Sequence, residues 1–178
     1  MRLTRIDVLA LALAGTLVSG GPALADNDPC EGFKWDVAKE RALFASPATM
    51  ATAGKAGTAS PVAALNRLVH LKLFPTSQVA FPVAPGKSGS ADGTYGGVLS
   101  LNLPASGKYR VSIDLPLWID ITADGKLLPP SDYAGQHGCT APRKIVVFTL
   151  DAKQRLQLQL SDSPQPTVLM TITPVPAG

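Results

Sequence analysis

From residue 65 onward, apolar and polar side chains alternate with a period of two. In "RLVHLKL", Val69, Leu71 and Leu73 fall on one face, with Leu68, His70 and Lys72 on the other. "VLSLNL" sets Leu99, Leu101 and Leu103 against Ser100 and Asn102. "KYRVSIDL" sets Tyr109, Val111, Ile113 and Leu115 against Lys108, Arg110, Ser112 and Asp114. "LWIDIT" sets Leu117, Ile119 and Ile121 against Trp118, Asp120 and Thr122. "QRLQLQL" repeats the pattern with Leu156, Leu158 and Leu160. Alternation of this kind predicts antiparallel strands with one face on a core. "SQVAF" predicts a short strand, "TVLMTITPV" a last one, and the nearly all-apolar "RKIVVFTL" a strand covered on both faces. "ADGK" predicts a tight hairpin, because Asp-Gly tolerates the positive φ such a turn needs.

The pattern amounts to about eight strands joined by short turns. No helix separates consecutive strands, so a parallel βαβ sheet is excluded. The expected fold is all-β: an antiparallel β-sandwich, jelly-roll-like, over residues 62–178. Earlier in the chain, "WDVAKERALFAS" predicts a short helix inside an N-terminal segment, 26–45. Asp36 can cap it, and Glu40 lies in the first turn, where the helix dipole favours a negative charge. "SPATMATAGKAGTASP", residues 46–61, has no hydrophobic period and few large side chains. It is expected to be a flexible linker or long surface loop.

The first 25 residues have a different character. Arg2 and Arg5 precede an apolar run from Val8 to Val18, which leads to Ala23-Leu24-Ala25. A basic start, a short apolar run and an A-x-A site describe a secretory signal peptide. The run is short for a membrane span, and no later one is longer. Cleavage after Ala25 leaves 153 residues, the size of one domain. The remaining 14 basic and 12 acidic side chains are scattered. No basic stripe interleaved with aromatics exists, so a nucleic-acid partner is not expected. The expected location is periplasmic or secreted.

That compartment bears on the two cysteines, Cys30 and Cys139. In an oxidising environment they are expected to form a disulfide. The alternatives for "GQHGC" are a metal site or a nucleophile beside its base, both using His137.

Candidate chemistry is sparse. No G-x-S-x-G elbow is present, and "GKS" at 86–88 lacks the earlier glycine of a phosphate-binding loop. "DITADG" resembles the front half of a calcium loop but lacks the closing Glu. The only histidines, His70 and His137, could with an acid such as Asp120 or Asp132 form a two-histidine, one-carboxylate iron site. Trp118, Asp120 and Thr122 share one strand face, where an aromatic flanked by hydrogen-bonding groups could stack a sugar or a proline-rich chain. Arg110 and Lys108, on the strand before, would be their partners in binding.

The runs "PCEGFKWDVAKERALFA", "VHLKLFPTSQVAFPVAPGK", "GTYGGVLSLNLPASGKYRVSIDLPLWIDI" and "GQHGC" resemble a group of small exported bacterial proteins without an established function. Some members carry the label homogentisate 1,2-dioxygenase. The enzymes properly so called are much larger cytoplasmic proteins with a His-rich iron site, and no motif of that site matches a position here. The "GKYRVSI" and "RLQLQLS" runs also resemble accessory β-sandwich domains of secreted enzymes. The expectation is therefore a non-catalytic binding or accessory module of the cell envelope, without a cofactor, whose partner is an envelope protein or a glycan. The alternative is a small metal-dependent enzyme using His70 and His137.

Overall fold

A computed structural model describes residues 28–87 and 92–176. The signal peptide expected over 1–25 lies outside the described residues. The elements run in the order α1 (Ala38–Phe44), β1 (Thr49–Thr52), β2 (Val69–Lys72), β3 (Phe74–Pro75), β4 (Tyr95–Leu101), β5 (Gly107–Ile113), β6 (Trp118–Ala123), β7 (Lys126–Leu128), β8 (Asp132–Gly135), β9 (Lys144–Leu150), β10 (Leu156–Ser163) and β11 (Thr167–Pro174). They build two sheets, ordered β1-β2-β11-β5-β9-β8 and β3-β4-β10-β6-β7. Every pair of neighbouring strands is antiparallel except β1 with β2.

The two sheets face each other across the alternating apolar positions. Leu71, Val111, Ile113, Ile121, Leu158 and Ile172 have no exposed surface. All six lie on strands, so burial of the apolar face drives the pairing. In β9, Ile145, Val146, Val147 and Phe148 are all buried, as in a strand covered on both faces. Among the described residues there are eleven strands in place of the expected eight. The additional ones are short edge pieces of two to four residues.

The structure differs from the sequence reading at three places, each for a physical reason. Residues 46–61 do not behave as a linker. Thr49–Thr52 pair in parallel with Val69–Lys72, and Gly54 and Val62 bridge to Val98 and Ser100. Ala53 and Gly54 are buried. Their small size is the reason: a Cβ on Gly97 would stand 2.3 Å from that of Ala53. Larger side chains could not pass so close to β4. Gly97→Ala is therefore expected to push this crossing away and lower stability by about 1–3 kcal/mol, read as a lower thermal midpoint.

Second, "SQVAF" forms no strand. Thr76–Gln78 make a single 3-10 turn, and residues 79–87 then form a strap over the outer face of the five-stranded sheet. Phe81 lies against Gly96 of β4, where a Cβ would come within 3.0 Å of the phenyl ring. The Val83 amide donates to Gln159 Oε1 of β10 at 3.1 Å. The Gly86 amide donates to Asp120 Oδ2 of β6 at 2.9 Å.

Third, both polar faces are partly covered. Ser112, Thr171 and Thr173 of the six-stranded sheet are buried, as are Thr122, Gln159 and Ser161 of the five-stranded one. Glu40 of α1 is also buried. Its carboxylate accepts a hydrogen bond from Thr173 Oγ1 at 2.7 Å and pairs with Arg110 at 3.2 Å. The residue read as a first-turn charge favoured by the helix dipole thus docks the helix onto β5 and β11. Asp36 Oδ1 accepts the Ala38 amide at 2.8 Å at the start of the helix. Cys30 is joined to Cys139 by a disulfide, which ties the N-terminal segment to the loop between β8 and β9.

Candidate functional site

Three hollows, of about 310, 250 and 230 Å³, meet along the open side of the sandwich where β6 faces β8 and β9. Lys144 lines all three. Together they form one groove. Its walls carry Trp118, Tyr133, Pro116, Pro130 and Val146, and cations stand at Lys87, Lys144 and Arg143.

Local sequence explains each placement. Lys144 opens β9 opposite Ile113, an inward-facing core residue. Cross-strand neighbours share a face, so Lys144 points inward, at the mouth of the sandwich. Its Nζ donates to the Leu117 carbonyl at 2.9 Å. Burial, and then the neighbouring Lys87 charge, push its pKa below the usual lysine value, against a smaller opposing pull from Asp120. Trp118 starts β6 directly after Leu117. Its Nε1 donates to Asp120 Oδ1 at 3.0 Å, two residues along the same strand face. Asp120 therefore uses both oxygens, one on the indole and one on the strap. Lys144 and Lys87 stand 5.1 and 5.7 Å from the centre of the Trp118 ring. These are cation–π distances. Tyr133 is 65% exposed, with Lys34 5.6 Å from its ring centre.

Of the four residues read as a binding face, the structure brings Trp118 and Asp120 to the groove. Thr122 is fully buried, and its Oγ1 has no hydrogen-bond partner among the described residues. Fully buried, it offers no surface to a ligand. Arg110 lies in the other sheet, since β5 pairs with β11 and β9 and not with β6. It is committed to Glu40 and to the Trp35 ring, 5.2 Å away. Strands consecutive in sequence change sheet here, which a period of two cannot reveal.

The histidines occupy different settings. His70 lies on β2, paired with Met50 of β1 and Leu169 of β11. His137 lies in the β8–β9 loop, where Arg143 donates to its carbonyl and approaches Nδ1 at 3.4 Å. Among the described residues, no three His, Cys, Asp or Glu side chains converge as a metal site would require. Among the described residues no helix is long and apolar enough to cross a membrane.

A larger hollow of about 460 Å³ lies at the opposite end of β6, around Asp124 and Arg155. It has no aromatic residue, and its two charges face each other at 3.8 Å in solvent. Such a pair is screened and offers a ligand little. The groove is the better candidate because apolar rings and unneutralised cations meet there.

Sequence reasoning missed Lys144, Lys87 and Tyr133. Lys144 was detectable: in "RKIVVFTL" it continues the series Leu150, Phe148, Val146 and so falls on the core-facing side. No family model matches the chain, and no curated protein or solved structure resembles it significantly.

Proposed function

We propose that this protein is an exported jelly-roll β-sandwich that serves as a binding or accessory module of the cell envelope, and that it binds through the Trp118 groove. The strand order supports the jelly-roll description. The order β2-β11-β5-β9 lies opposite β4-β10-β6-β7, and the chain crosses between sheets after nearly every long strand. The leader-like first 25 residues and the Cys30–Cys139 bond support export, since disulfides persist in oxidising compartments. The observation that carries the binding role is Trp118, a half-buried indole fixed by Asp120 at the edge of an open groove. A ring held in one orientation costs little further entropy when a ligand packs on it.

The test is capture of envelope components, protein and glycan alike, on immobilised wild type and on Trp118→Ala. Loss of a buried aromatic anchor is expected to reduce recovery at least about tenfold. Equal recovery by the two forms removes the groove from the account.

A further inference from the structure

Resting on that reading, we infer that the occupant of the groove is an extended acidic peptide segment of a partner protein, which adds as a strand to the open edge of β6. Four observations converge on this class of ligand.

The first is the edge itself. β10 pairs with all of Trp118–Ala123, but β7 pairs only with Ile121–Ala123. The cause is Pro129-Pro130, directly after β7: proline has no N–H to give, so the ladder stops. Among the described residues, the first half of β6 has no strand neighbour on that side.

The second is the direction of the backbone groups. Ala123 and Lys126 flank the two-residue turn Asp124-Gly125, whose φ values of 49° and 78° are those of a tight hairpin. The odd-numbered amides of β6 therefore point towards β7, and two residues before Ile121 this places the N–H and C=O of Ile119 on the open side. Ile119 lines the groove. The Leu117 carbonyl, two residues earlier again, is held by Lys144.

The third is charge. Neither Lys87 nor Lys144 has an ion-pair partner among the described residues. Asp120 is saturated by Trp118 and Gly86, and Asp162 lines the same hollow without pairing with either lysine. A carboxylate entering here would lie between two ammonium groups that at present repel each other.

The fourth is the spacing of pockets. Tyr133, Pro130 and Val146 offer an apolar hollow beside Ile119, while the lysines stand beside Trp118. An added strand projects alternate side chains to opposite sides, so an acidic residue followed by an apolar one would meet both.

The test uses the full exported protein, nitrogen-15 labelled, titrated with an eight-residue peptide of alternating glutamate and valine. Amide shifts are expected at residues 117–121 and 132–135, and hydrogen exchange at Ile119 should slow at least tenfold. The same peptide N-methylated at alternate positions keeps its charge but cannot form a ladder, and should lose binding. Lys144→Met, which keeps the apolar stem, should weaken binding at least about tenfold. Equal binding of the N-methylated peptide would overturn strand addition without any variant that might misfold. Tetragalacturonate is the control for the groove itself. If it shifts the same residues while the peptide does not, the peptide assignment falls and the groove stands; if neither shifts them, both fall.

Discussion

Replacing Cys30 and Cys139 together by serine is expected to destabilise the protein by about 3–5 kcal/mol and to shift its urea midpoint down by about 2 M. The two cysteines are 109 residues apart in sequence. Joining them removes many conformations from the unfolded chain, and the chain-entropy relation gives about 4–5 kcal/mol for a loop of this length. The loss has a structural side as well. Cys139 is fully buried, and Gly138 beside it packs against Pro29 so closely that a Cβ would come within 2.8 Å. Serine would place a hydroxyl where a sulfur is now shielded from water. Wild-type protein unfolded in the presence of a reductant should behave like the double variant. If reductant and double substitution both leave the midpoint unchanged, the bond contributes nothing to stability.

Glu40→Ala is expected to cost about 3–5 kcal/mol, because it leaves the charge of Arg110 buried without its partner. The Arg110 side chain is 12% exposed and that of Glu40 only 1%. One Glu40 oxygen also accepts the Thr173 hydroxyl, so Glu40→Gln, which retains that hydrogen bond, should lose less. Replacing both members, Glu40→Leu with Arg110→Met, removes the two charges and should recover much of the stability. This set of three variants separates a buried pair from a surface charge. A surface charge would give three changes within about 0.5 kcal/mol of wild type. Hydrogen exchange should report the same event locally, with faster exchange in Ala38–Phe44 once the helix is no longer docked on β11.

What the sequence could and could not reveal follows from the range of each signal. Alternation is local, so Tyr109, Val111 and Ile113, or Leu156, Leu158 and Leu160, declare their common face within five residues, and they form the core. Which sheet a strand joins is not local. Arg110 and Trp118 are eight residues apart in sequence, yet lie in different sheets. Thr122 has the polarity of a solvent-facing residue, yet it is fully buried. The segment 46–61 has no period because its small residues serve close passage over Gly97 and not a regular apolar stripe. Glu40 has the spacing of a helix-dipole charge, and its true partner is 70 residues away. Trp118 and Asp120 were legible as a pair because they are two residues apart on one strand. Tyr133 and Lys87 reach the groove only through folding.

The most direct test of the groove as the working surface is hydrogen exchange on the purified protein, with and without envelope extract. The account predicts slowed exchange confined to residues 117–121 of β6 and the adjoining β8. Slowing around Asp124 and Arg155, or along β1, with β6 unchanged, would contradict it.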